Sequence, residues 1–110
     1  MREEMKTAYA LIYEYKSGAI EQGTEVTQEQ DRLIRLLATD LDVEVEGLDI
    51  GTIISLVARA DTRWNQETMA AVCDFHDRRE AGSNEEAEDV RSSFLSRCPS
   101  VWYCGVLADL

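Results

Sequence analysis

Residues 40–51 read DLDVEVEGLDIG, and whether this stretch forms a strand decides the fold class of the chain. Asp40, Asp42, Glu44 and Glu46 alternate with Leu41, Val43 and Val45, a period of two that a short strand shows and that an extended connection between helices shows equally well. One other segment could pair with it. The apolar tail SVWYCGVLADL, residues 100–110, reads either as a strand or as a short docked helix. If 41–46 and 101–107 pair, the class is α+β; otherwise it is mainly α.

Outward from this stretch, the period is helical. On the N-terminal side Met5, Ala8, Tyr9, Ile12 and Tyr15 fall on one stripe and predict a helix over 3–16, followed by a loop at SGAIEQG, 17–23. Thr27 and Gln30 form a capping-box pattern ahead of Leu33, Ile34, Leu37 and Leu41, which predicts a second helix over about 28–40. On the C-terminal side Ile53, Ile54, Val57 and Ala58 predict a third helix ending near Asp61. Asn65 is a candidate cap for a fourth, with Thr68, Ala71, Val72 and Phe75 as its stripe and Gly82 just past its end. Ser83 and Glu86 repeat the capping-box spacing before Ala87, Val90, Phe94 and Leu95, and Pro99 terminates this fifth helix. The expectation is a mainly α, compact single-domain bundle of about five helices over residues 1–110, with or without the one short strand pair.

Length and composition agree with a folded domain. The chain has 110 residues, 45% of them apolar and 30% charged, near the average for globular proteins and far from the composition of disordered chains. No run approaches the roughly 18 apolar residues of a membrane helix, and the charged, amphipathic start MREEMKTAYALIYEYK is unlike a signal peptide, so a cytoplasmic location is expected. Three cysteines, Cys73, Cys98 and Cys104, fit reduced thiols better than a disulfide framework.

Charge departs from the average: 22 acids against 11 bases give a formal net charge of -11. Binding to bare nucleic acid depends on basic side chains that displace counterions, so DNA and RNA are not expected ligands, and an anionic membrane surface would repel the chain. A protein partner with a basic surface would attract it. Asp40, Asp42, Glu44, Glu46 and Asp49 stand out because no basic residue occurs between Arg35 and Arg59. In an extended chain, side chains two apart sit about 6.8 Å from one another on one side, which would line up a negative row resembling a phosphate backbone in sign. The competing reading is a solvated edge whose charge discourages aggregation. Trp64, beside Arg63, is the aromatic expected to be exposed as a partner anchor, and Trp102 the one expected to be buried by the tail.

The stretch CDFHDRRE, 73–80, holds the chain's one histidine. Cys73 and His76 lie three apart on a predicted helix, a spacing that can place thiolate and imidazole on one zinc ion, but two further ligands would have to come from Cys98 and Cys104, which lie beyond another helix. The same two residues make a poor nucleophile and base, and no nucleophile elbow, phosphate-binding glycine loop or paired-histidine motif occurs elsewhere. The chain is therefore read as non-enzymatic and without a cofactor or metal.

In size, charge and lack of a catalytic signature the chain resembles the small acidic proteins with which phages block host defence by occupying nucleic-acid sites. That resemblance, one of composition alone, implies an anti-CRISPR-like inhibitor that mimics nucleic acid and fills a basic groove of a CRISPR complex or nuclease in the host cytoplasm. The expected partner-binding residues are Asp40, Asp42, Glu44, Glu46, Asp49 and Trp64. The alternatives are a structural or regulatory helical module, homo-oligomeric through its apolar tail, and a small zinc-bound protein using Cys73 and His76.

Overall fold

The computed structural model describes residues 3–21 and 25–110 and contains five helices: α1 (Glu3–Ser17), α2 (Gln28–Asp40), α3 (Ile50–Glu80), α4 (Asn84–Arg97) and α5 (Val101–Ala108). The chain packs as two compact units, Met1–Asp61 and Thr62–Leu110, whose boundary falls inside α3. No described helix is long and apolar enough to cross a membrane. Of the loop predicted at 17–23, residues 22 and 23 lie outside the described residues; at its start Gly18 turns the chain with φ 84°.

In the first unit, α1 and α2 pack on one another. Met5, Ala8, Tyr9, Leu11 and Ile12 are buried on α1, and Leu33, Ile34, Leu37 and Ala38 on α2. Each large apolar side chain taken fully out of water contributes on the order of 1.5–3 kcal/mol before the entropy of ordering the chain is counted. The entry to α2 forms the expected capping box: Thr27 Oγ1 accepts from the Gln30 N–H at 3.1 Å and Gln30 Oε1 accepts from the Thr27 N–H at 3.0 Å. Polar ties also cross the unit. The Tyr9 hydroxyl donates to Asp40 Oδ2 at 2.8 Å, and Lys16 Nζ donates to the buried Asp61 at 2.9 Å.

The predicted break near Asp61 does not occur, and α3 is continuous from Ile50 to Glu80. Its buried positions, Ile53, Val57, Asp61, Trp64, Thr68, Ala71 and Phe75, are spaced by three and four throughout, so one helical face runs the whole length. Asp61 looks like an interruption only while its partner Lys16 is unknown. No proline or glycine lies between Thr52 and Glu80, and an asparagine costs a helix interior under about 1 kcal/mol, too little to end it at Asn65.

Of the two readings open for 41–46 and for 101–107, the strand forms in neither, and the fold is mainly α. α2 ends in a Schellman motif in which the Asp42 N–H donates to Thr39 O and the Val43 N–H to Ala38 O, with Asp42 in the left-handed region at φ 56°. Gly47 turns the chain again at φ 78°, so 41–46 never runs straight enough to pair. The tail is helical instead: Ser100 Oγ accepts from the Trp102 N–H at 3.2 Å and starts α5.

In the second unit, α3 ends as predicted at Gly82, φ 82°, in a second Schellman motif with Gly82 N–H to Arg79 O and Ser83 N–H to Arg78 O. That motif consumes the Ser83 N–H, and Glu86 pairs with Arg78 at 2.6 Å, so the capping box expected of Ser83 and Glu86 is absent. α4 ends before Pro99, with Cys98 extended at φ -68°, ψ 125° as a residue preceding proline must be. Phe75, Ala87, Phe94, Tyr103 and Leu107 are buried here, and α5 packs on α4.

Candidate functional site

The 40–49 segment joins α2 to α3, and its five acids divide into two kinds. Asp40 and Asp49 are structural. Asp40 accepts the Tyr9 hydroxyl, while Asp49 caps α3, its Oδ1 accepting the Thr52 N–H at 3.0 Å. Hydrogen bonds from Thr52, the side chain first and the backbone second, hold the Asp49 carboxyl below the usual aspartate range. Asp42, Glu44 and Glu46 are exposed, and the intervening Val43 and Val45 are half-buried. The alternation seen in the sequence therefore survives in an irregular loop: valines tether it and three carboxylates project from it.

These three carboxylates have no cationic partner among the described residues. The acids of α1 and α2 contrast with them. Glu4 and Glu29 both hold Arg32, at 2.8 and 2.6 Å, Asp31 holds Arg35 at 2.7 Å, and Glu3 meets Lys6 at 3.4 Å. Arg32 also lowers the Glu29 carboxyl, chiefly by hydrogen bonding. Asp42 is in addition the one non-glycine with positive φ among the described residues, a conformation that costs an L-residue on the order of 1 kcal/mol.

Trp64 is placed opposite to expectation. It is 8% exposed, packed edge-on to Phe94 with ring centres 6.1 Å apart and tilted against Tyr103 at 6.4 Å, with the Arg63 guanidinium 5.5 Å from its ring centre. Trp102 is the exposed one, at 37%, and shares the outer side of α5 with Val101 and Val106. The exchange follows from α3 being continuous, because position 64 falls on its buried stripe. Had the helix begun at Asn65, Trp64 would have stood outside it.

Cys73 and His76 are both exposed on α3, and the imidazole sits edge-on to Phe75 with centres 5.7 Å apart. Among the described residues no three His, Cys, Asp or Glu side chains gather as metal ligands would. Beside α3, an open groove of about 560 Å³ runs along α4, floored by Ala70, Ala71 and Val90. The sequence reading missed it. Arg78 and Arg97 flank it, but Arg78 is held by Asp74 and Glu86 at 2.9 and 2.6 Å, and Arg97 by Glu67 at 3.4 Å. The Asp74–Arg78 spacing of four was legible; the pairing of Arg78 with Glu86 across the turn at Gly82 was not.

No family model matches the chain, and no curated protein or solved structure is significantly similar to it.

Proposed function

We propose that the chain is a non-enzymatic acidic binding protein that inserts Asp42, Glu44 and Glu46 into a basic groove of a nucleic-acid-handling protein. It would act as an inhibitor of the anti-CRISPR kind in the cytoplasm of a phage-infected host. The observation that carries this reading is three exposed carboxylates, alternating along one loop and without a cationic partner among the described residues, at the end of a packed helix. The left-handed Asp42 adds support, since glycine would occupy that position with less strain. Trp64 leaves the set of contact residues because it is buried, and Asp40 and Asp49 serve by fixing the two ends of the loop.

The test uses the protein captured from a host lysate as the partner. Replacing Asp42, Glu44 and Glu46 together by Asn, Gln and Gln should weaken the complex by on the order of 2 kcal/mol or more, and the wild-type complex should loosen steeply with added salt. Unchanged affinity of the triple variant would overturn the reading.

A second reading has its own observation. Val101, Trp102 and Val106 form an exposed apolar side of α5, which suits a helical interaction module that self-associates. Dimerisation in sedimentation experiments, abolished by Trp102→Glu, would favour it.

A further inference from the structure

Two of the three cysteines meet at the corner between α4 and α5. Cys98 caps the C-terminus of α4, and its Sγ donates to Ser100 O at 3.1 Å. Cys104, in the second turn of α5, turns its Sγ back to Cys98 O at 3.9 Å. Both are half-buried and unbridged. The corner is held from several sides: Pro99 fixes the extended Cys98, Ser100 caps α5, and the Cys104 N–H donates to Ser100 O at 3.2 Å. The geometry points to Cys98 and Cys104 as an oxidation site, a dithiol that a hydroperoxide converts to an intramolecular disulfide tying α5 to the end of α4. This site is independent of the acidic loop.

The chemistry balances with the peroxide as oxidant. Cys98 sulfur attacks one peroxide oxygen, the O–O bond breaks, and the departing hydroxide takes up the thiol proton as water, leaving Cys98 as a sulfenic acid. Cys104 sulfur then attacks Cys98 sulfur; the S–O bond breaks and the hydroxyl leaves with the Cys104 proton as a second water. Two thiols lose two electrons and the peroxide gains them. Burial, then the hydrogen bond and charge of the neighbouring Cys98 side chain, push the Cys104 thiol up to about 12. Cys73, exposed on α3, has no such partner and serves as the internal control.

The experiment treats the full chain with hydrogen peroxide, blocks remaining thiols with N-ethylmaleimide, and maps the tryptic peptide that begins at Cys98. The expected product lacks two hydrogens within that peptide, takes no label there until a dithiol reductant is added, and forms equally in Cys73→Ser. In Cys104→Ser, with its fold checked by circular dichroism, Cys98 should be trapped as a sulfenic acid that dimedone captures, while the wild type gives none. Dimers bridged through any cysteine, over-oxidised Cys98 in the wild type, or two freely labelled thiols after treatment would each overturn the assignment.

Discussion

Asp42 and Gly82 occupy the same position in two helix C-termini, each one residue past the cap of a Schellman motif and each with positive φ. Glycine adopts that backbone without strain and aspartate does not. Asp42→Gly is therefore expected to raise stability by about 1 kcal/mol, and Gly82→Ala to lower it by about 1 kcal/mol or more, both read from urea unfolding midpoints at unchanged slope. Under the proposed function the stabilised Asp42→Gly also binds its partner less well. Asp49 carries a pH prediction. Its folded-state value is lowered by Thr52, so its contribution is present at neutral pH and disappears as pH falls through that value. Asp49→Asn keeps a capping oxygen without a titrating group and should shallow the acid side of the thermal-midpoint profile; Asp49→Ala should lower the midpoint at neutral pH as well.

At the scale of elements, periodicity carried most of the fold and failed where a polar residue sat on a buried stripe. α1 and α2 were legible because their apolar spacing and the Thr27–Gln30 box point the same way. α3 was split in two because Asp61 reads as a terminator unless Lys16, 45 residues earlier, is known to reach it. The open choice at 41–46, strand or extended connection, falls to the connection for a related reason: alternation reports which side chains face in, but left-handed Asp42 and Gly47 bend the backbone out of any ladder. At the candidate site, the exposed acids were legible; Tyr9 on Asp40 was not, because that contact exists only once α1 and α2 have packed. A proline distinguishes one helix from two. Were Asn65 a cap, Gln66 would be the first helical residue, where proline is tolerated. In the continuous α3, Gln66→Pro removes an interior hydrogen bond and clashes with the preceding turn, for an expected loss of about 3 kcal/mol or more in chemical denaturation.

For the whole molecule, an excess of 11 negative charges means that acids differ in what they do for folding, and the difference can be measured without any partner. Asp42, Glu44 and Glu46 are exposed, and among the described residues nothing cationic faces them, so in the folded state they meet mainly the repulsion of the remaining charge. Glu85, Glu86 and Glu88 are exposed too, yet the first two sit in the opening turn of α4, Glu86 holds Arg78, and Glu88 holds Arg91 at 2.7 Å. A carboxylate at a helix N-terminus contributes about 0.3–1 kcal/mol, a contribution the loop acids lack. Neutralising the loop trio with Asn, Gln and Gln is thus expected to leave the unfolding free energy within about 0.5 kcal/mol of wild type or slightly above it. Neutralising the α4 trio with Gln should lower it. Added salt, which screens repulsion, should narrow any gain of the loop variant over wild type. Chemical denaturation of the two variants at low and high salt checks this. A loop variant less stable than the α4 variant would mean that Asp42, Glu44 and Glu46 are held by the fold rather than offered to a partner.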